Sequence, residues 1–252
     1  MSLAALKTDN SVEVETDRLG GAQRIEESNV YALTIELAYL RTAASGALAL
    51  EAHFKTDKGA NLRQTYWMTS GTAKGGKNFY TTKDGTKRYL PGFTLANDLA
   101  LLASATEISA MDTDEKMVKL YDYTAKEEVP TKVQMFTDLV GKEIKAGIQR
   151  SIEDKDTKQD DGTYVAQGET KEEMGVDKFF RARDGLTRTE IIAGETEGVF
   201  VGQWVEKNKG TLRNNAKKAK EMAASGAITG APMAVVAAKA SNGPAPVQSL
   251  FA

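Results

Sequence analysis

The chain has 252 residues, 41% hydrophobic and 27% charged, with a formal net charge of −2. These are ordinary globular values and allow a sizeable core. There is no cysteine and a single histidine, which excludes disulfides, thiolate zinc sites and cysteine nucleophiles together. No apolar run approaches the roughly 20 residues of a membrane span, and the opening MSLAALKTDNSVEVE lacks the basic-then-apolar order of a signal peptide. The expectation is a soluble protein of the cytoplasm with no membrane partner.

The charge is unevenly spread. From Lys55 to Arg88 eight Lys/Arg face two Asp, from Glu107 to Glu128 seven acids face three Lys, and from Glu206 to Lys220 six basic residues face one Glu. Local electropositive surface on a protein kept soluble by acids elsewhere fits this pattern.

In chain order, residues 1–24 read as a loose lead-in with one edge strand. Tyr31, Leu33, Ile35, Leu37 and Tyr39 alternate as in a strand. Leu48–Thr56 and Asn61–Thr69 read as a hairpin around Asp57-Lys58-Gly59, with Gly59 left-handed and Thr56 opposite Ala60. That register puts Leu48, Leu50, Ala52, Phe54, Leu62, Tyr66 and Met68 on one face. Glu51, His53, Lys55, Asn61, Arg63 and Trp67 fall on the other. His53 reads there as an exposed strand residue.

The next stretch, SGTAKGGKNFYTTKDGTKRYLPG, begins as a Gly/Lys loop and becomes a second hairpin. Asp84-Gly85 as a two-residue turn predicts Tyr80 opposite Tyr89 and Thr82 opposite Lys87. A helix is predicted over Leu95–Ala105, entered from Thr94, and strands over Val118–Tyr123 and Val133–Val140. The acids Asp112, Asp114 and Glu115 read as a helix N-cap with dipole-favoured neighbours. Ile144, Ala146, Ile148 and Ile152 alternate in a strand over Lys142–Ile152. The charged Glu153–Asp161 joins it to Thr163–Gln167 as a long flexible hairpin tip. Thr187 and Glu190 form a capping-box pair. From Glu206 the chain is basic, then Ala/Gly/Pro-rich, and reads as a flexible tail over 206–252.

Gly71 to Lys77 has the GxxxxGK spacing of a phosphate loop, but Asn78 stands where Mg²⁺ binding needs Ser or Thr, and strand signals follow instead of a helix. Neither ATP hydrolysis nor nuclease activity is expected, and no cofactor or metal. The stretch from Lys55 to Tyr89 points elsewhere, because basic and aromatic residues interleave there. Single-strand binding needs cations along a phosphate track and aromatic faces for unstacked bases. Lys55, Arg63, Lys74, Lys77, Lys83, Lys87 and Arg88 supply charge, and Trp67, Phe79, Tyr80 and Tyr89 supply rings. The competing reading makes Trp67, Tyr80 and Tyr89 core aromatics, at least one of the three being expected to prove so.

Three segments carry a family resemblance: TAASGALALEAHF, YWMTSGTAKGGKNFYTTKDGTKRYLPGF and DKFFRARDGLTRTEI. They resemble single-stranded DNA-binding proteins encoded by tailed bacteriophages, over about Ile25 to Trp204. The resemblance implies a mainly β domain over 25–205, an OB-like barrel with extended hairpins, that coats exposed strands during DNA replication and recombination in the host cytoplasm. It implies no catalysis, and as partners single-stranded DNA, replication or recombination proteins, and further copies of the chain. Many single-strand binders end in an acidic tail tipped by an aromatic residue. This chain ends PVQSLFA, with Phe251 but no acids, which counts against partner recruitment by that route. Two rival classes stand beside this reading. One is a structural or assembly protein with a β-sandwich and a basic partner-binding tail. The other is a metal-dependent nuclease built on the acids between Asp112 and Glu128.

Overall fold

The computed structural model describes residues 11, 23–122, 125–158 and 164–217. The lead-in over 1–24, the tip over 159–163 and the tail from 218 onward therefore lie almost wholly outside the described residues. What is described is mainly β. The strands are β1 (Asn29–Thr42), β2 (Leu48–Thr56), β3 (Asn61–Trp67), β4 (Phe79–Thr81), β5 (Lys87–Tyr89), β6 (Asp114–Asp122), β7 (Glu127–Met135), β8 (Glu143–Lys158), β9 (Tyr164–Arg181) and β10 (Leu212–Asn214). Three helices accompany them, α1 (Pro91–Ser104), α2 (Arg188–Ile192) and α3 (Phe200–Asn208).

One sheet runs in the order β10-β8-β1-β2-β3, with β9 beside β8 and the β6–β7 hairpin joined to β1 through β7. β1 is the shared strand. Its first half, Asn29–Thr34, pairs with β8, and Tyr39 and Leu40 pair with β7. The switch coincides with a register shift between Ile35 and Leu37 against β2, and such a bulge sharpens strand bend and twist. Among the described residues no ladder closes β9 onto β3. The two approach where Gln64 Nε2 donates to the Met174 carbonyl at 3.0 Å and where Tyr66 meets Phe179 edge-on at 5.9 Å.

The core lies on one face of β1–β3. Leu33, Ile35, Ala38, Leu50, Ala52, Phe54, Leu62 and Tyr66 pack against Leu99 and Ala100 of α1, against Ile144 and Ile148, and against Phe179. The β2–β3 register is the predicted one: Lys55 opposes Asn61, Thr56 N donates to Ala60 O, and Gly59 is left-handed at φ +84°.

Elsewhere the structure corrects the sequence reading. The helix begins at Pro91 and not at Leu95, because Pro suits the first helical position, where no N–H is needed. Asp112, Asp114 and Glu115 cap no helix; the last two open β6, and Asp114 pairs with Met135. Val133–Val140 is strand only to Met135 and then turns through a short 3-10 segment, Thr137–Leu139. The charged stretch after Ile152 continues as strand to Lys158. The Thr187–Glu190 capping box is present in both directions.

The boundary expected at residue 205 falls inside α3. Trp204 is 4% exposed, its ring lies flat against Gly147, where a Cβ would sit 2.7 Å from it, and its Nε1 donates to Asp177 at 2.8 Å. Beyond it, β10 pairs in parallel with Arg150–Ile152 of β8, and Gly210 N donates to Ser28 O. Buried Ser28 Oγ donates to Thr211 O at 2.6 Å and accepts from Gln149 Nε2 and Arg150 N.

The chain divides into two compact units. Among the described residues, the far ends of β8 and β9 with Asn215, Ala216 and Lys217 belong to the second. It is held by Lys155–Glu169 at 2.8 Å and by Asn215 Nδ2 on Glu153 at 2.8 Å. No helix among the described residues is long and apolar enough to cross a membrane.

Candidate nucleic-acid interface

Two neighbouring stretches of the first unit carry the predicted binding residues. The first is the outward face of β2 and β3, which is less open than the sequence suggests. Glu51 is fully buried there. Its carboxylate accepts from Arg63 Nε, from Arg41 at 3.2 Å and from Thr65 Oγ1 at 2.8 Å. Burial pushes this carboxyl up, but those hydrogen bonds and the Arg63 charge outweigh it and hold the group below its usual value. Tyr39 is buried beside it and packs edge-on against His53 at 6.1 Å.

His53 is thus half-buried and not exposed, with a buried Nε2 that has no hydrogen-bond partner among the described residues. Burial, and then the nearby Arg63 charge, push its pKa down. The β6–β7 hairpin shares an open groove with this face. A groove of about 730 Å³ is lined by Arg41, Glu51, Arg63 and Thr65 of the sheet and by Leu120, Tyr121, Asp122 and Thr131 of the hairpin. At its end the Arg41 guanidinium lies 5.9 Å from the Trp67 ring centroid.

The second stretch is the loop and ribbon from Gly71 to Tyr89. A 3-10 turn, Thr72–Lys74, is followed by two left-handed glycines, Gly75 and Gly76. The chain then enters β4, so the GxxxxGK stretch leads into a strand and presents no helix N-terminus. β4 and β5 form a two-stranded sheet of their own, shifted by one residue from the predicted register. Phe79 opposes Tyr89, and Tyr80 opposes Arg88.

The loop holds three residues, Lys83 to Gly85, with Thr82 N donating to Thr86 O and Gly85 at φ +85°. The Thr82 hydroxyl shares its one proton between the Asp84 carboxylate and Thr86 O, which favours this wider loop over a two-residue turn. Tyr80 and Tyr89 therefore point to opposite faces of the ribbon. The ammonium groups of Lys77 and Lys87 lie 5.8 and 5.1 Å from the centroid of half-buried Phe79. Tyr89 packs on Phe93 with centroids 5.0 Å apart.

The two stretches are tied together at Gly92. A Cβ there would lie 2.3 Å from the Trp67 carbonyl oxygen, so only glycine lets the first turn of α1 reach the end of β3.

Trp67, Tyr80 and Tyr89 are 41%, 45% and 58% exposed, so none of the three is a core residue, against the expectation that at least one would be. Of the predicted cations, Lys55 pairs with Glu36 at 3.3 Å and Arg63 with Glu51. Among the described residues Lys74, Lys77, Lys83, Lys87 and Arg88 form no ion pair and are exposed. Sequence reasoning missed Arg41, Tyr39 and Tyr121, because nothing local marks a residue that meets the site across the sheet. Of the acids proposed for a nuclease, Asp112 precedes β6 and the rest are strung along β6 and β7, and no three His, Cys, Asp or Glu side chains converge as a metal site among the described residues. No protein-family model and no curated protein matches the chain.

Proposed function

We propose that the chain binds single-stranded DNA without altering it and coats exposed strands in replication or recombination, as the resembling bacteriophage proteins do. The observation that carries this reading is the Gly71–Tyr89 surface. Five cations with no ion pair among the described residues stand there beside large exposed rings, whereas Arg41, Arg63, Lys132, Arg150 and Lys178 elsewhere are matched by carboxylates. Unpaired cations gain affinity by releasing counterions from phosphates, and exposed rings gain it by stacking on unpaired bases.

The strand order supports the finer reading of a partly open OB-like barrel. A bent first strand is shared between neighbours, a helix follows the third strand after the β4–β5 ribbon, and β9 approaches β3. In that architecture the face of the second and third strands meets the oligonucleotide. Trp67 and Arg63 lie on that face here.

A fluorescence titration with oligo-dT and with duplex of equal length tests the proposal. The only two indoles are Trp67, exposed, and Trp204, buried, so quenching reports on Trp67. Tight, salt-sensitive binding of oligo-dT and weak binding of duplex are expected, and equal binding of both at matched salt refutes the proposal. The rival reading as an assembly protein is favoured by one observation: Ile191, Ile192, Val199 and Phe200 are exposed around the α2–α3 turn, with Ile192 at 73%. On that reading oligo-dT leaves the Trp67 emission unchanged.

A further inference from the structure

Beside the basic loop lies a cleft of about 500 Å³ that is distinct from the groove over Glu51. Its walls are mostly apolar, including Leu48, Met68, Phe93, Ile108, Met111 and Phe136, and no acidic side chain lines it. Lys77 and Asn78 stand among its few polar residues. Both are placed by backbone bonds. Lys77 N donates to Ser70 Oγ at 3.0 Å while Ser70 N donates to Lys77 O at 2.8 Å, and Asn78 O accepts from Leu90 N at 2.8 Å. Phe93 belongs to the cleft and also packs on exposed Tyr89, so a line of rings runs from the surface inward.

We propose that this cleft receives one nucleobase of the bound strand, turned out of the stack of its neighbours, with Lys77 holding the adjoining phosphate. The inference rests on the single-strand reading above and names a subsite within it. A nucleobase is a flat apolar-faced ring with an amide-like edge. The partly exposed Phe93 ring and Met111 side chain suit its faces, over a floor that includes buried Phe136 and Met68, and the Asn78 carboxamide offers its edge one acceptor and two donors. A phosphodiester is anionic, which fits a cleft with a lysine among its lining residues and no carboxylate. An unpaired strand carries no cost of breaking base pairs, so turning out one base sacrifices only stacking.

The test is photo-cross-linking of the full-length chain to oligo-dT in which 5-iododeoxyuridine replaces thymidine, followed by peptide mapping. Cross-links at Phe93, Met111 or Phe136 are expected, and Asn78→Ala and Lys77→Ala, which alter surface side chains and leave the core untouched, should each lose most of that yield. Cross-links confined to Trp67, Tyr80 and Tyr89, with binding intact, overturn the cleft and leave the strand-binding reading standing. Cleft cross-links that persist undiminished in both variants overturn the assigned roles of Lys77 and Asn78. Absence of any binding to oligo-dT removes both readings.

Discussion

Glu51→Gln isolates the most unusual feature of the β2–β3 face. The substitution keeps the volume and one acceptor oxygen but replaces the other with an NH2 group that meets guanidinium donors. Glu51 is fully buried and accepts from Arg41, Arg63 and Thr65. Hydrogen bonds to charged groups contribute about 1.5–3 kcal/mol each, yet they do not add. Moreover, the Arg41 and Arg63 side chains are 49% and 39% exposed, so water re-solvates the released charges. The cost therefore falls below the roughly 3–5 kcal/mol of a fully buried pair, at about 1.5–3 kcal/mol. For a domain of this size that lowers Tm by roughly 4–10 °C.

Urea unfolding should show a lower midpoint with an unchanged slope. The pH dependence has a definite sign. The folded Glu51 pKa lies below its usual value, so its contribution is complete above the unfolded pKa of about 4.3 and is lost as pH falls through the folded one. The gap between wild type and variant should be constant near neutrality and close in the acid range. Binding should move the other way: two guanidiniums freed of their carboxylate raise oligo-dT affinity at low salt. An unchanged urea midpoint at pH 7, or a gap that widens as pH falls, refutes the reasoning.

Three further predictions bear on the interface and its support. Trp67→Ala or Tyr80→Ala should weaken oligo-dT binding by about 1–3 kcal/mol at nearly constant salt slope, whereas Lys74→Ala or Lys83→Ala should lower the slope by about one; titrations at several salt concentrations separate the two. Ending the chain after Glu206 removes the partners of buried Ser28 and Gln149 and the Arg213–Asp177 pair at 3.2 Å. At about 1–3 kcal/mol for each buried group left unsatisfied, its Tm should fall well below that of a chain ending after Lys217, which keeps these contacts. Gly92→Ala should cost about 1–3 kcal/mol by overpacking and shift the Trp67 emission, since the new methyl collides with the Trp67 backbone.

Features set by near neighbours were legible in the sequence. The β2–β3 register followed from apolar alternation and a glycine at the left-handed position, and the α2 start from Thr187 and Glu190. The β4–β5 register was not, although the position of its turn was: the predicted two-residue turn is a three-residue loop. Asp84-Gly85 suits two loop lengths, and the choice lies with the hydroxyl of Thr82 one position outside the dipeptide. Contacts between distant segments left no local mark. Glu51 alternates as a solvent-facing residue would, and only its partners Arg41, Arg63 and Thr65 reveal why it is buried. Likewise the basic run after Glu206 looked unanchored, because its partners Ser28, Gln149 and Asp177 lie far away in the chain. The candidate cations were read from composition, but their division between two stretches and into paired and unpaired members required coordinates.

The separateness of the β4–β5 ribbon has a consequence for how a ligand would be met. Two strands of three residues each, outside the main sheet, hold little free energy of their own. Their amides should exchange with solvent far faster than those of β1 and β2, whose opening approaches global unfolding. A surface of that kind can adjust to a polymer whose bases vary in size and order. It also means that part of the association free energy is spent on stiffening the protein, so measured affinity should report the rigidity of residues 79–89 as much as the number of charges they carry.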